Sequence, residues 1–473
     1  MTDTTPTSPP LYKAQEPVFP RKVHGKFRTL KWWIMGVTLG LYYLLPWVRW
    51  DRGVNLPDQA VLVDLASRRF FFFWVEIWPH EFYFVAGLLI MAGLGLFLFT
   101  SVLGRVWCGY ACPQTVWTDL FILVERWIEG DRNARVRLWK GKWDARKWRL
   151  RLTKWLVWLG IAGATGGAWV YYFTDAPTLF WDLLYFRAGP VVWATIAVLT
   201  ATTFVFGGFM REQVCIYMCP WPRIQAAMMD ESSLTVAYRS WRGEPRGKVG
   251  TEGAGDCVDC MACVNVCPMG IDIRNGQQME CITCALCIDA CDDVMVKLGR
   301  PTGLVGYLAL EDEGREKLGV PPRSLLRHIF RPRTLLYSAL WAGLGFGLLF
   351  ALFIRPDIDF SVAPVRNPLF VVLSDGAVRN TYDLRLKNKN GADHIFQLSF
   401  TGARGVAMSL EGEPELSVKV PADATYLQRV YLTAASGTAD AAEERLDVRF
   451  WVEDVVTGER ASVATIFNGK GAQ

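Results

Sequence analysis

Eight of the twelve cysteines in this 473-residue chain fall into two runs with identical spacing. The pattern C-x2-C-x2-C-x3-C begins at Cys257 and recurs 24 residues later at Cys281. The positions are Cys257, Cys260, Cys263, Cys267, Cys281, Cys284, Cys287 and Cys291. Because such spacing matches the geometry of a bound iron-sulfur centre, any fold of this chain must gather these thiols into compact groups.

This spacing is typical of a two-cluster bacterial ferredoxin, in which the fourth cysteine of each run ligates the cluster of the other run. One predicted 4Fe-4S cluster is held by Cys257, Cys260, Cys263 and Cys291. The second predicted 4Fe-4S cluster is held by Cys281, Cys284, Cys287 and Cys267. Pro268 follows the first run as in that motif, whereas Asp292 follows the second. The alternatives are disulfides and structural zinc, which prefers paired C-x2-C units.

Long apolar runs indicate a membrane protein. Hydrophobic residues make up 51% of the sequence, and 21 residues are tryptophan. A helix of about 20 apolar residues spans the ~30 Å hydrocarbon core of a bilayer. We predict five such helices, from Trp32 to Val48, Phe82 to Leu103, Trp155 to Phe173, Val191 to Phe209 and Thr334 to Ile354.

The charges of the connecting loops predict the orientation of these helices. Between Arg105 and Lys154 there are twelve basic and five acidic residues, whereas the loop from Thr174 to Pro190 contains one basic residue. Basic loops stay in the cytoplasm. The N-terminus and the paired cysteine runs are therefore expected inside, where a thiol-rich segment stays reduced. Five spans would leave the C-terminal region outside.

Two shorter cysteine motifs follow helices two and four. The strings Cys108-Gly-Tyr-Ala-Cys112-Pro and Cys215-Ile-Tyr-Met-Cys219-Pro share the pattern C-x-Y-x-C-P, and each follows an arginine. This repeat of hairpin and motif places both cysteine pairs at one membrane face. Four thiolates there would bind copper(I) or a third iron-sulfur cluster. The alternatives are buried reduced thiols or a labile disulfide within each pair.

In the region after helix five, apolar and polar residues alternate with a period of two. Tyr382, Leu384 and Leu386 alternate with polar residues, and the stretch from Leu446 to Val452 behaves in the same way. With roughly seven such strands and no cysteine, this region predicts an immunoglobulin-like β-sandwich that depends on its apolar core.

We therefore predict a multi-domain membrane protein with a five-helix α transmembrane bundle, a cytoplasmic α+β two-cluster ferredoxin domain and a C-terminal all-β immunoglobulin-like sandwich. Residues 1–30 are predicted to be a disordered cytoplasmic N-terminus. The other predicted domains are the four-helix region with both C-x3-C-P motifs (31–222), the ferredoxin domain (223–333), the fifth helix (334–354) and the sandwich (355–473).

Other cofactors and partners are disfavoured by the sequence. No G-x-G-x-x-G follows a strand, which argues against a nicotinamide or flavin bound on a Rossmann fold. All four histidines lie outside the apolar runs, which argues against a haem inside the bundle. We therefore expect a separate electron donor, and no nucleic-acid partner.

The order of parts and several strings resemble the cytochrome c oxidase accessory proteins of the FixG, RdxA and CcoG type. The matching strings are Gly255 to Cys260, Val266 to Arg274, Gln277 to Cys291 and both C-x-Y-x-C-P motifs. The resemblance implies a bacterial inner-membrane protein with a periplasmic sandwich. It also implies reduction of Cu(II) to Cu(I) for assembly of a high-affinity haem-copper oxidase, with a copper transporter or chaperone and oxidase subunits as partners.

Three functions therefore remain open at this stage. The first is a cupric reductase in which Cys108, Cys112, Cys215 and Cys219 form the catalytic site. The second is an electron-transfer subunit of the quinol dehydrogenase type, which would need no copper. The third is a non-catalytic scaffold for oxidase assembly. Copper reduction by the purified protein separates the first from the other two.

Overall fold

The computed structural model describes residues 17–53, 56–355, 358–389, 392–422 and 424–471, with His80 and Leu325 described by their backbone alone. It contains two compact units. The first comprises Met1–Val48 and Ala60–Leu348, and the second comprises Arg49–Gln59 and Leu349–Gln473.

Helices dominate the first unit and are labelled in chain order. They are α1 Lys26–Leu44, α2 Tyr83–Leu103, α3 Val106–Tyr110, α4 Pro113–Glu129, α5 Arg132–Lys140, α6 Ala145–Val170, α7 Ala176–Leu184, α8 Pro190–Gly208, α9 Arg211–Gln213, α10 Trp221–Met228, α11 Ser240–Gly243, α12 Ala262–Val266, α13 Leu286–Lys297, α14 Leu310–Lys317, α15 Leu325–Ile329, α16 Pro332–Phe353 and, in the second unit, α17 Ala439–Ala442. A π-helical turn covers Val214–Met218, and 3-10 turns cover Leu45–Trp47, Pro79–Glu81 and Ile273–Asn275.

All strand pairs among the described residues are antiparallel. The first unit has β1 Val61–Asp64, β2 Arg69–Phe72 and β3 Val75–Ile77 in one sheet, and the pair β4 Thr235–Tyr238 and β5 Val305–Leu308. The second unit has β6 Ile358–Pro364, β7 Val371–Val372, β8 Val378–Asn388, β9 His394–Thr401, β10 Val406–Leu410, β11 Ser417–Val420, β12 Thr425–Ala434, β13 Arg445–Asp454 and β14 Arg460–Asn468.

Among the described residues, three helices are long and apolar enough to cross a membrane, namely α2, α8 and α16. Their apolar side chains point outward, with Leu89 69%, Val198 60% and Phe346 72% exposed. Soluble proteins rarely leave such surfaces uncovered, so the chain is a membrane protein. The other two predicted spans fall on α1 and α6, which carry basic residues in their N-terminal halves. The count of five therefore stays a prediction.

The predicted disorder of residues 1–30 is wrong for residues 17–30, while residues 1–16 lie outside the described residues. Helix α1 begins at Lys26, well before the predicted Trp32. The backbone amides of Phe27 and Arg28 donate hydrogen bonds to the Asp289 carboxylate, at 3.3 and 2.7 Å. A carboxylate is favoured at a helix N-terminus. Because Asp289 belongs to α13, this contact joins the ferredoxin segment to the first helix.

Buried acidic residues of α4 hold the helices around it. Glu125 pairs with Arg135, Lys154 and Arg211 at 2.6, 3.2 and 2.6 Å. Asp119 accepts two hydrogen bonds from the Arg28 guanidinium at 2.9 Å. Since a buried charge is tolerated only when paired, these contacts fix α4 against α1, α5, α6 and α9.

The second unit is a sandwich of two antiparallel sheets, ordered β10-β12-β8-β6 with β7 on β8, and β11-β9-β13-β14. Tyr382, Leu384 and Leu386 of β8 are at most 1% exposed and face Phe450 and Val452 in one apolar core. The predicted alternation is therefore confirmed, although the described residues form nine strands rather than about seven because short edge strands carry little periodicity.

Candidate metal centres

The two ferredoxin-type runs have the same backbone conformation. Asp259 and Met261 lie in the left-handed region, at φ 54° and 57°, and so do Thr283 and Ala285, at φ 54° and 59°. Each pair occupies the same two positions between its cysteines. Non-glycine residues adopt this conformation only at a cost of about 1–2 kcal/mol each, so its repetition indicates that the turns are shaped for a ligand.

A helix follows each pair of turns. Met261 precedes α12, which carries Cys263, and Ala285 precedes α13, which carries Cys287 and Cys291. Cys267 is extended (φ −65°, ψ 122°) because it precedes Pro268. The second run lacks this proline, so α13 continues to Lys297.

The structure gathers the eight thiols into the two predicted ligand sets. One cavity is lined by Cys257, Cys260, Cys263 and Cys291, and the neighbouring one by Cys267, Cys281, Cys284 and Cys287, with Cys263 at their border. The last cysteine of each run thus lies with the first three of the other. This is the crossed arrangement expected of a two-cluster ferredoxin.

The donor chemistry of these cavities fits 4Fe-4S clusters. All twelve cysteines are free of disulfides. Burial raises the pKa of Cys263 to about 11 and of Cys267 and Cys291 to about 12, so binding of a metal centre must displace their protons. When bound, each cluster would supply one-electron exchange.

The C-x-Y-x-C-P motifs form similar turns at the ends of α2 and α8. Cys108 lies on α3 and Cys215 on the π-helical turn. Cys112 and Cys219 are both extended, with ψ 128° and 124°, because each precedes a proline that starts or caps the next helix. The sequence repeat is thus a structural repeat.

Cys108, Cys112, Cys215 and Cys219, hereafter the cysteine quartet, lie close together. Burial raises the pKa of Cys215 to about 12, and the neighbouring Cys112, Cys108 and Cys219 raise it further. Burial likewise raises the pKa of Cys108 to about 11, and its thiol contacts the Gln225 side-chain oxygen at 3.0 Å. Cys108 and Cys215 also pack against the same cluster of buried residues, so the quartet is a candidate site for a soft metal centre.

Two members of the quartet pack directly against residues of the second ferredoxin cavity. Cys108 and Cys215 contact the cluster of buried residues that contains Ile282 and Cys284. The Tyr110 hydroxyl, two residues after Cys108, donates a hydrogen bond to the Cys284 carbonyl oxygen at 3.2 Å. One layer of packed residues, hereafter the shared wall, therefore contacts both the quartet and the second ferredoxin cavity.

Arg105 lies within this wall and is 3% exposed. Its Nη1 donates to the Met279 carbonyl oxygen, and its Nε has no hydrogen-bond partner among the described residues. Its charge opposes the effect of burial on the pKa of Cys108, Cys215 and Cys281. Since no carboxylate of the described residues forms an ion pair with it, thiolates are its available counter-charges.

Gly109 permits the close approach of the quartet to the ferredoxin loop. A Cβ at this position would lie 2.6 Å from the Ile282 oxygen and 2.9 Å from the Cys284 Cα. We expect Gly109→Ala to lower the melting temperature and to accelerate loss of iron-sulfur absorbance, because the clash is with backbone and costs about 1–3 kcal/mol. Gly93→Ala is the matched control, since a Cβ there meets nothing within 4 Å. Equal melting of both variants would contradict this close packing.

Sequence reasoning did not identify Gly109 or Gln225 as parts of the site. The sequence does contain a signal for Gly109. The first motif has a glycine at the position where the second motif has Ile216, so only the first motif lacks a side chain there. No local pattern marks Gln225, because it lies 117 positions after Cys108 in the sequence and contacts it only in the folded chain.

Three family models match the chain. A model described as a 4Fe-4S dicluster domain matches residues 210–309, and one described as a 4Fe-4S binding domain matches residues 84–131. A third, described as an IG-like fold at the C-terminal of FixG, matches residues 348–470. The predicted pair of 4Fe-4S clusters and the predicted immunoglobulin-like domain are thereby confirmed.

Curated relatives match over the full length. Protein RdxB of Cereibacter sphaeroides is 67% identical over 100% of both chains. Protein RdxA of the same organism is 63% identical over 97% of this chain and 98% of its own. Nitrogen fixation protein FixG of Rhizobium meliloti is 52% identical over 98% of this chain and 94% of its own. The chain therefore belongs to the FixG/RdxA family of iron-sulfur electron-transfer proteins of membranes.

Proposed function

We propose that this protein is a cupric reductase that supplies Cu(I) for the copper centre of a high-affinity haem-copper cytochrome c oxidase. The observation that carries the proposal is the placement of the cysteine quartet against the second ferredoxin cavity. Reduction of Cu(II) to Cu(I) takes one electron, which matches the one-electron exchange of a 4Fe-4S cluster. Thiolates also favour Cu(I) over Cu(II).

The chain's own residues suit the quartet to this task. It would hold either copper or a third iron-sulfur cluster, and in both cases it would be the point at which electrons leave the ferredoxin domain. Arg105 stabilises negative charge on its thiolates from a buried position. Tyr110 and Gly109 keep it in contact with the Cys284 loop.

The proposed location is the bacterial inner membrane, with five spans, a cytoplasmic N-terminus and a periplasmic sandwich. Two contacts support the proposal that the N-terminal ends of α1 and α16 lie at the same membrane face as the ferredoxin domain. Asp289 of the ferredoxin domain caps α1, and Arg331, just before α16, pairs with Asp230 at 2.6 Å. These helix ends therefore lie beside the ferredoxin domain, on the side of the basic loop.

A reporter fusion tests this topology. We expect a reporter that is active only outside the cytoplasm to be silent after Gly250 and active after Gln473, because an odd number of spans separates the two positions. Gly250 suits insertion since it lies in an exposed loop. Equal activity of the two fusions would require an even number of spans and would remove the sandwich from the periplasm.

The proposed partners are a copper transporter or chaperone, which supplies the metal, and subunits of the oxidase, which receive it. Anaerobically purified protein, reduced with dithionite and freed of excess reductant, tests the catalytic step. We expect Cu(I), trapped by a chelator, in amounts near one per reduced cluster. Protein stripped of iron is the control. Formation of no more Cu(I) than this control would reject the reductase and favour the scaffold.

A further inference from the structure

A large cavity lies in the first unit, beside the quartet but separate from it. Its volume is about 490 Å³, within the range of small-molecule sites. It is formed by α4, α5, α6, the end of α8, α9 and residues 17–19. No step of the proposed copper chemistry uses it.

Indole rings form much of its wall. Trp139, Trp143, Trp155 and Trp158 all line it. Trp139 and Trp143 are 52% and 56% exposed, so they lie at its mouth, whereas Trp158 is 1% exposed and lies at its base. Tryptophan is enriched where a membrane meets water. The cavity thus suits a flat, apolar ring that enters from the interface.

Polar groups of both kinds reach into the same cavity. Lys147 and Arg151 are 4% and 7% exposed, and Arg151 Nη2 has no hydrogen-bond partner among the described residues. Glu212 is 6% exposed, and no ion pair joins it to another described residue. Its carboxylate accepts a hydrogen bond from Gln213 at 3.4 Å. The cavity therefore offers buried donors as well as a buried acceptor.

The same glutamate connects this cavity with the thiols. Glu212 also lines a small cavity that contains Cys215 and a larger one, of about 280 Å³, that contains Cys267. Through this shared residue, a ligand in the large cavity would be one side chain away from a cysteine of each group. Such proximity matters only for a ligand that exchanges electrons.

We infer that this cavity binds the head group of a membrane quinol, the electron donor for the proposed function on which this inference rests. A quinone ring stacks on indoles, its two carbonyl oxygens accept hydrogen bonds, and the two hydroxyls of the quinol donate them. An anionic lipid head group would bind the cations but would lie beside the Glu212 carboxylate, which no ion pair neutralises among the described residues.

The redox step balances without another reactant. One quinol gives one quinone, two electrons and two protons. The two 4Fe-4S clusters that the eight cysteines would hold could take up one electron each. The protons pass one after the other to the Glu212 carboxylate and then to water at the mouth.

Calorimetric titration of the full-length, cluster-containing protein with a short-chain ubiquinone tests the inference. We expect saturable binding of one quinone per chain. Trp143→Ala and Arg151→Gln should each weaken binding about ten-fold, by loss of stacking and of a charged donor. Trp127→Ala and Arg146→Gln are matched controls, because both side chains are exposed and outside the cavity. Trp143 tolerates substitution since it is largely exposed.

Absence of saturable binding, or equal affinity in all four variants, would overturn the inference. Displacement by short-chain phosphatidylglycerol without any quinone binding would assign the cavity to lipid and would overturn it as well. Dithionite-driven copper reduction by the wild-type protein is measured in parallel. If copper reduction fails while quinone binds, the cupric reductase is rejected and the quinol site stands. If copper is reduced but quinone does not bind, the quinol site is rejected and the cupric reductase stands.

Discussion

Replacing Cys112 and Cys219 together by serine is expected to lower copper(II) reduction at least ~10-fold, because loss of even an outer-shell partner of a metal ligand typically costs that much. The change removes one soft ligand from each half of the cysteine quartet. It leaves the eight cysteines that line the two ferredoxin cavities untouched. Chelator-trapped Cu(I) measures the rate, and iron content with EPR of the reduced protein reports on the clusters. Oxidase maturation in cells should fall in parallel.

Cys284→Ser is the reciprocal variant. It removes a ligand of the second ferredoxin cavity but keeps the quartet. We expect it to lose both copper reduction and about four iron per chain, the content of one cluster. Cys284→Ser thus tests the supply of electrons by the ferredoxin domain, whereas the Cys112/Cys219 double variant tests their delivery to copper. A Cys112/Cys219 double variant that reduces copper at the wild-type rate would assign the quartet to packing and move the copper site elsewhere.

Iron content in two double variants should show the crossed ligation of the two ferredoxin clusters. The wild type is expected to contain about eight iron and eight sulfide in the ferredoxin domain. Cys257→Ser with Cys291→Ser damages a single cavity, because both residues line the same one. About four iron should remain. Cys281→Ser with Cys291→Ser damages both cavities, so almost no iron should remain.

Uncrossed ligation predicts the opposite result for these two variants. A third cluster on the quartet would add about four iron to every count, so the difference between the variants decides the ligation. Equal iron in both double variants would contradict the crossed arrangement. Zinc in place of iron in the wild type would reject the clusters themselves.

Local patterns in the sequence predicted the parts of this protein. The ferredoxin runs were recognisable because cluster ligands follow one another at fixed short spacings, so no distant contact is needed to define them. The apolar runs of α2, α8 and α16 and the alternation of Tyr382, Leu384 and Leu386 were recognisable because side-chain periodicity reflects the solvent on each face.

The contacts between these parts were decided by tertiary structure alone. Asp289 caps α1 across 261 residues, and Tyr110 reaches the Cys284 carbonyl across 174. Glu212 lines the large cavity together with residues of α6 and the N-terminal segment. None of these pairings leaves a short-range pattern, because each depends on where packed helices place distant side chains. The sequence alone thus predicted the two cysteine runs and the apolar helices α2, α8 and α16. Tertiary packing decided which thiols lie together, which residues separate the two groups of thiols, and which cavity lies near them.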